Sequence, residues 1–266
     1  MTGMMSPRLL LALGMALGGC ASLPEQTVRF QGLSDCPSQT PRALLSQQGN
    51  IGPGSSTHAL QCALTVARET RDPVLLGTDL PARLALHLAE RSQDSQTREA
   101  LANEGVRLAQ QALKQGGAEN GGVHYYLAAN LGLAIHDHPL QAADQISTLE
   151  RELQKAIQLS STVDDGGPLR LLGMLYLKAP PWPTGIGDGD KALELLNGAV
   201  DKFPDHPLNH LFLAQALWEV EDNARMARQQ WNLGLEKLNK GPWGYNRAIW
   251  NREFQTVAQE LDEPAR

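Results

Sequence analysis

The sequence predicts an all-α protein, a solenoid of stacked helical hairpins, and three observations carry this prediction. The chain contains 43 Leu but only 9 Val and 6 Ile, which favours helices because strands recruit β-branched and aromatic residues. From residue 57 onward, segments with helical periodicity alternate with short stretches rich in Gly, Pro and Asp. Small and large apolar residues also recur with the spacing of an internal helical repeat. Parallel-sheet and β-sandwich folds are disfavoured by the composition alone.

Length and charge set the class of protein and exclude one kind of partner. The 266 residues suffice for a substantial core, so stability does not require a disulfide scaffold. The formal net charge is −6, from 23 Lys and Arg against 29 Asp and Glu, and the chain has no basic block. We therefore expect a mildly acidic helical body that does not bind nucleic acid.

The first twenty residues have the features of a bacterial lipoprotein signal. Arg8 is the only charge before the apolar run 9–17, and small residues follow it up to Cys20. Such a run is typical of a secretory signal and too short to span a bilayer as a stable helix. The tetrad Leu-Gly-Gly-Cys that ends at Cys20 resembles the lipobox. We expect residues 1–19 to be removed and Cys20 to carry the lipid; a plain signal peptide or a buried Cys is the alternative.

The residue after the lipidated cysteine indicates the membrane to which the protein is sorted. Ala21 follows Cys20, whereas in many Gram-negative bacteria an Asp at this place holds lipoproteins at the inner membrane. The expected location is therefore the cell envelope, with a lipid anchor in the outer membrane and the protein facing the periplasm.

The segment 20–56 is rich in Pro, Gln, Ser and Gly, which predicts an irregular tether with at most a short helix near 43–48. Cys36 and Cys62 form an even pair in an oxidising compartment. A disulfide between them would close a loop of about 26 residues and contribute roughly 3 kcal/mol. Two free buried thiols are the alternative. A metal site is disfavoured, because two lone thiols without a CxxC motif lack the ligand count.

Ten helices follow, with lengths typical of a hairpin array and with no sustained heptad repeat. They are predicted at 57–70, 80–91, 97–115, 123–136, 140–159, 168–178, 190–203, 207–220, 223–238 and 247–261.

The internal repeat matches the tetratricopeptide pattern, which needs small residues where two helices cross and large ones between them. Leu172-Gly173-x2-Tyr176 fits the first helix of the pattern, and Ala192-x3-Leu196-x2-Ala199-x4-Pro204 fits the second. Three further hairpins, at 84–109, 127–156 and 213–234, follow the same phase in degenerate form. We therefore predict a tetratricopeptide-like repeat domain over residues 57–240.

An insertion interrupts the best-conforming hairpin. Fifteen residues separate Tyr176 from Ala192, where the standard spacing allows eight, and the surplus contains Pro, Gly and the large apolar Trp182. Long loops in compact arrays are more often functional than accidental. Trp182 is therefore a candidate binding residue.

The C-terminal part, residues 241–266, predicts a capping helix. The run Gly-Pro-Trp-Gly-Tyr-Asn at 241–246 breaks the array. Trp250, Phe254 and Val257 then share one apolar helix face, which would cover the open end of the solenoid. A partner-binding helix is the alternative.

The joint pattern over residues 121–238 resembles the T-component family of TRAP-associated periplasmic lipoproteins. The matching motifs are Tyr125-Tyr126-x3-Asn130-Leu131-Gly132, Gly166-Gly167-Pro168-x3-Leu172-Gly173-x2-Tyr176, Ala179-Pro180, Gly187-Asp188-x2-Lys191-Ala192 and Pro204. The resemblance implies a lipid-anchored, tetratricopeptide-like protein that assists the solute-binding protein of a TRAP transporter. The inserted Pro-Pro-Trp-Pro departs from the family pattern, so the ligand or partner stays open.

The concave face of such an array, lined by the first helix of each pair, is the expected binding surface. The phase of Leu172-Gly173 assigns to it Tyr125, Arg170, Met174, Leu177, Leu211, Gln215 and Trp218. This surface is largely apolar with one cation, which suits a hydrophobic ligand, an apolar peptide or a helix. The alternative is that these side chains are core, covered by a neighbouring helix.

Metal and catalytic motifs are not expected. Asp188-Gly189-Asp190 lacks the remainder of a calcium loop, and Asp190 is predicted as a helix N-cap. The histidines have no third ligand at zinc spacing, and no nucleophile-elbow, Walker or zincin motif occurs. The prediction is a non-enzymatic protein without cofactor or metal that binds a protein partner or an apolar ligand. The alternative is an envelope adaptor without a small-molecule ligand.

Overall fold

The computed structural model describes residues 27–262, so the signal and Cys20 lie outside the described residues. Within them the fold is all-α, with twelve α-helices and no strand. The helices are α1 (Pro41–Ser46), α2 (Thr57–Glu69), α3 (Pro73–Leu76), α4 (Leu80–Arg91), α5 (Ser95–Lys114), α6 (Gly121–Ala134), α7 (Pro139–Ser160), α8 (Gly167–Lys178), α9 (Gly189–Lys202), α10 (Pro207–Glu221), α11 (Ala224–Lys240) and α12 (Arg247–Asp262). The ten predicted helices are confirmed, and α3 is an addition.

Adjacent helices pack in pairs, as a helical solenoid requires. The pairs are α4 with α5, α6 with α7, α8 with α9, and α10 with α11. The first helices of these pairs also contact one another in chain order, α4 on α6, α6 on α8, and α8 on α10. Four successive first helices therefore lie side by side along one face. No helix within residues 27–262 is both long and apolar enough to cross a membrane.

Glycine permits the close crossing of α8 and α9. A Cβ added to Gly173 would lie 2.7 Å from Cγ of Leu196, nearer than side-chain carbons approach one another. Leu196 is itself fully buried. A larger residue at 173 would force the two helices apart, because a packed core has no room for an added methyl group.

The beginning of α9 corrects one local prediction. The N-cap is Asp188, whose Oδ1 accepts a hydrogen bond from the backbone N–H of Lys191 at 3.1 Å. Asp190, the predicted cap, lies in the first turn of the helix. Asp188 and Asp190 both precede the apolar residues of α9, and either could cap the helix by its residue type. Because Asp188 is the cap, the helix begins at Gly189, one residue earlier than predicted.

The segment predicted as a tether packs against the helices over its described part. Leu44 on α1 is only 1% exposed and lies in a core cluster with residues of α2 and α4. Arg68 donates a hydrogen bond to the backbone oxygen of Val28 at 3.0 Å, and Arg83 donates one to that of Gln48 at 3.0 Å. Residues 28–56 are thus mostly irregular but do not form a free tether.

The last helix covers one end of the array. Trp250, Phe254 and Val257, the predicted apolar face of α12, are buried, and the helix packs on α11 and α10. The indole N–H of Trp231 on α11 donates to the backbone oxygen of Phe254 at 2.8 Å. This hydrogen bond satisfies the polar N–H of a large, partly buried ring.

Candidate functional site

A cavity of about 560 Å³ lies along the face where the first helices of the pairs meet. Its apolar wall consists of Leu86 from α4, Tyr126, Ala128, Ala129, Gly132 and Leu133 from α6, Leu149 and Leu153 from α7, Leu171, Met174 and Leu175 from α8, Leu208 and Phe212 from α10, and Trp250 from α12. Glu90, His136 and Lys178 also reach it and are the more exposed of its polar residues. Cavities of this size and lining are typical of small-molecule sites.

One part of the cavity wall is polar and is built around Asp164. The guanidinium Nη2 of Arg170 donates to Oδ2 of Asp164 at 2.6 Å, and the hydroxyl of Tyr125 donates to the same oxygen at 2.7 Å. Nη1 of Arg170 donates to Oδ1 of Asn209 at 2.7 Å. Tyr125 comes from α6, Arg170 from α8 and Asn209 from α10, so this network joins three neighbouring first helices.

The backbone that presents Asp164 is held in an uncommon conformation. Asp164, Asp165 and Gly166 have successive φ values of 50°, 46° and 88°, all in the left-handed region. Asp tolerates this region better than most residues, but each non-glycine residue there is strained. The side chain of Asn209 donates to the backbone oxygen of Asp165 at 3.0 Å, and Arg170 donates to that of Asp164. These bonds fix the turn, and Pro168 follows in the first turn of α8 as predicted.

Charge in the polar wall is balanced within the protein. Burial alone would raise the pKa of Asp164, but the charge of Arg170 leads the interactions that outweigh it and hold that pKa below its ordinary value. Burial and the charge of Asp164 raise the pKa of Tyr125 well above its usual range. Burial and the charge of Arg170 lower the pKa of His206 to about 3. At neutral pH the network around Asp164 and Arg170 therefore holds one ion pair, a neutral phenol and, beside Arg170, the neutral imidazole of His206.

The N-terminal segment and the turn before α12 meet beside the cavity. Arg91 donates to the backbone oxygens of Ser55 at 2.6 Å and Pro53 at 3.0 Å, and to Oδ1 of Asn246 at 2.9 Å. Pro53 and Asn246 both line the cavity. Asn246 is only 1% exposed, and its Nδ2 has no hydrogen-bond partner among the described residues. One arginine thus joins the N-terminal segment to the turn before α12.

Three of the predicted groove residues line the cavity, namely Tyr125, Arg170 and Met174. Leu177 is packed between two core clusters and is not part of the wall.

The prediction for α10 is corrected. Leu211 is fully buried in the core cluster that contains Phe254, and Trp218 packs against that cluster. Gln215 donates to the carboxylate of Glu260 on α12 at 3.4 Å. The helix instead contributes Leu208 and Phe212 to the wall. For Leu211 the alternative of a covered core position is therefore the one that applies.

Trp182 lies apart from the cavity wall, on the inserted loop, and is 85% exposed. The loop closes on itself, since the N–H of Gly187 donates to the backbone oxygen of Pro180 at 2.8 Å and Thr184 donates to that of Pro181 at 3.0 Å. The insertion therefore presents one large apolar side chain to solvent on a compact loop.

Cys36 and Cys62 form a disulfide with their Cα atoms 5.6 Å apart, which ties the N-terminal segment to α2. The ligating atoms of Cys36, His58 and Cys62 lie within 4.8 Å of one another. Because thiolates and not disulfides bind metals, the bonded pair leaves His58 as the remaining ligand of this group.

No protein-family model matches the chain, and no curated protein matches its sequence.

Asp164 and Asn246 are two polar residues of this site that sequence reasoning missed. Asp164 stands in a run, Asp-Asp-Gly-Gly-Pro, that indicates only a turn before a helix, and Asn246 stands in the segment that breaks the array. Neither pattern tells which distant side chain will be contacted.

Proposed function

We propose that this protein is a non-enzymatic, lipid-anchored protein of the bacterial cell envelope that holds an apolar ligand in its cavity. Its proposed role is auxiliary to TRAP-type solute uptake, with a periplasmic solute-binding protein as partner. The observation that carries the proposal is the cavity of about 560 Å³ with its predominantly apolar wall.

The predominantly apolar wall of this cavity is unfavourable in contact with water. Burial of apolar surface stabilises a protein by roughly 25 cal/mol per Å². An apolar ligand would remove this wall from water and make packing contacts with it. A concave apolar surface formed by α4, α6, α7, α8, α10 and α12 is therefore suited to an apolar occupant.

The tetratricopeptide-like arrangement is part of this proposal. It is supported by glycines at close crossings, since a Cβ at Gly173 would collide with Leu196, and one at Gly234 would lie 2.9 Å from the backbone oxygen of Pro207. The cavity is also lined by Tyr125, Tyr126 and Gly132, which belong to the first motif of the family resemblance.

The ligand proposal is tested by direct binding. The chain carrying Cys20→Ser would be purified without detergent, and N-phenyl-1-naphthylamine, a neutral probe that fluoresces in apolar surroundings, would be titrated into it. We expect saturable fluorescence with about one probe per chain. A signal that does not saturate would contradict the proposal.

The anchor is tested separately in cells. Globomycin, which blocks the lipoprotein signal peptidase, should cause unprocessed precursor to accumulate, and Cys20→Ser should release the protein from the membrane fraction. Normal processing of the wild type under the drug would refute lipidation without bearing on the cavity.

The second candidate is an envelope adaptor that binds other proteins and no small molecule, and exposed Trp182 is the observation that favours it. A large apolar side chain that is 85% exposed on a closed loop is suited to docking.

Trp182→Ala should reduce co-purification of an envelope partner and leave the melting temperature nearly unchanged. A large fall in the melting temperature would instead assign Trp182 a structural role. The matched control is Trp250→Ala, which empties a buried position and should destabilise the fold by about 3 kcal/mol or more.

A further inference from the structure

The polar wall of the cavity contains a cation that is already neutralised. Both terminal nitrogens of Arg170 are engaged, Nη2 by Asp164 at 2.6 Å and Nη1 by Asn209 at 2.7 Å. The Arg170 side chain is only 4% exposed. A ligand carboxylate would therefore have to compete with Asp164 for this guanidinium, at the centre of a network that joins three helices.

Asp164, in contrast, keeps an unused acceptor. Its Oδ2 accepts both the Tyr125 and the Arg170 hydrogen bonds, and no hydrogen bond from residues 27–262 reaches Oδ1. The side chain is 23% exposed and lines the cavity. An ionised carboxylate can only accept hydrogen bonds, so this oxygen can accept one from a donor on a ligand in the cavity.

Asn246 offers the complementary group. Its Oδ1 is occupied by Arg91, which fixes the orientation of the amide and leaves Nδ2 as the unpaired end. The residue is 1% exposed, and a buried donor without a partner is unfavourable. Because Asn246 lines the cavity, an uncharged oxygen on a ligand is a suitable acceptor for this amide.

Charge then decides between ligand classes that share an apolar body. A carboxylate would add a second negative charge beside Asp164, while Arg170 is already paired with Asp164 and the half-exposed Lys178 is paired with Glu219. An alkylammonium at Oδ1 would place a second positive charge beside Arg170, with only the single negative charge of Asp164 to balance both. A hydroxyl group donates to Oδ1 of Asp164 without changing the charge of the site.

We propose that the cavity selects neutral apolar molecules that carry a hydroxyl group, such as medium- or long-chain alcohols, over carboxylates and amines of the same chain length. This inference rests on the proposed ligand-binding function and specifies its ligand class. The acceptor is Asp164, and Arg170 and Tyr125 hold it in place.

The test compares ligands that differ only in their polar group. Decan-1-ol, decyl methyl ether, decanoate and decylamine would each displace N-phenyl-1-naphthylamine from the Cys20→Ser chain at neutral pH. We expect decan-1-ol to bind at least about tenfold more tightly than decanoate or decylamine, because either ion would leave the cavity wall with an unbalanced charge. The ether accepts but cannot donate, so it should also bind more weakly than the alcohol.

Equal or tighter binding of decanoate or decylamine would overturn the inference while leaving the ligand-binding function intact. Failure of all four compounds to displace a saturably bound probe would count against the ligand-binding function itself. These two failures are therefore distinguishable in one experiment.

Asp164→Asn provides a reversal test. Asn has the same shape and tolerates the left-handed backbone at this position, and the change leaves Arg170 with an uncompensated charge. Decanoate should now bind more tightly than decan-1-ol. The matched control is Asp165→Asn, which has nearly the same φ but does not line the cavity and should keep the wild-type preference. If Asp164→Asn does not fold, the wild-type preference still decides the inference.

Discussion

Arg91 and Asn246 are hydrogen-bonded through Nε and Oδ1 at 2.9 Å, although 155 positions separate them in the sequence. The same guanidinium holds the backbone oxygens of Ser55 and Pro53. The end of α4 is thus the place where the N-terminal segment and the turn before α12 are joined. Because Pro53 and Asn246 line the cavity, this junction closes part of its wall.

Replacing Arg91 with Met should open this junction. Met retains most of the apolar stem but none of the three hydrogen bonds. A charged hydrogen bond contributes about 1.5–3 kcal/mol, but Arg91 is only half-buried, so water replaces much of what the three bonds contribute together. We expect the free energy of unfolding to fall by roughly 2–3 kcal/mol and the dissociation of N-phenyl-1-naphthylamine to accelerate several-fold. Urea unfolding and stopped-flow fluorescence measure the two effects.

Arg151→Met is the control for that substitution. Arg151 is 65% exposed, and its buried partner Glu152 keeps its bond to His124, so the loss of Arg151 should change stability by less than about 1 kcal/mol. A probe dissociation rate that is the same in Arg91→Met and in the wild type would show that the junction does not limit access to the cavity.

His206 should make the stability of the protein depend on pH. Its ring lies 5.1 Å from that of Trp243 and 5.3 Å from that of Trp250, and burial, followed by the charge of Arg170, lowers its pKa to about 3. In the unfolded chain the imidazole takes up a proton near pH 6.5. Between about pH 6.5 and 3 the unfolded state therefore binds the additional proton, and stability falls as the pH falls.

His206→Phe should remove this contribution, because the aromatic packing is kept and the titrating group is lost. The free energy of unfolding from urea titrations at about pH 7.5, 6 and 5 should decline in the wild type by up to about 1.4 kcal/mol per pH unit from this residue alone. The variant should show a correspondingly shallower decline. Parallel curves for the two proteins would rule out His206 as the source.

Reduction of the Cys36–Cys62 disulfide should destabilise the N-terminal segment. The bond closes a loop of 26 residues, and cross-links of that length stabilise a fold by roughly 3 kcal/mol. A phosphine reductant should lower the melting temperature and expose residues 28–56 to protease first.

The double variant Cys36→Ser, Cys62→Ser is the control for reduction. It should melt at the same temperature as the reduced wild type and be insensitive to reductant. A wild type whose melting temperature and proteolysis pattern do not change on reduction would contradict the stabilising role of the bond.

Helix positions could be predicted because their signals are local. The beginning of α8 is marked by Pro168 and that of α10 by Pro207, and Gly173 marks a close crossing. Such residues act within one turn or one hairpin, so a single sequence contains them in full.

The groove face of α10 could not be predicted in the same way. The phase carried over from α8 pointed to Leu211 and Gln215, but α12 packs against that side of α10 and buries it. Leu208 and Phe212 face the cavity instead. A repeat pattern describes how neighbouring hairpins stack, and it does not tell where a terminal helix will fold back onto the array.

The polar wall was missed for a related reason. Asp164 contacts Tyr125, which is 39 positions away, and it reaches that partner through a run of left-handed residues. The run Asp-Asp-Gly-Gly identifies a turn. It contains no signal that the side chain of Asp164 will contact Tyr125 on another helix.

Filling the cavity should raise stability and abolish binding, and Gly132 is the position at which to do so. Gly132 lies in α6 and lines the cavity, and a Cβ built there would meet no atom within 4 Å. Gly132→Leu should therefore stabilise the helix by about 0.5–1 kcal/mol while its side chain occupies ligand space.

Gly198→Leu in α9 is the matched control, since its Cβ would also meet nothing within 4 Å but the residue does not line the cavity. Both variants should unfold at higher urea concentration than the wild type, and only Gly132→Leu should bind N-phenyl-1-naphthylamine more weakly, by about tenfold or more. Unchanged probe affinity in Gly132→Leu would mean that the probe, and by extension the ligand, binds elsewhere on the protein.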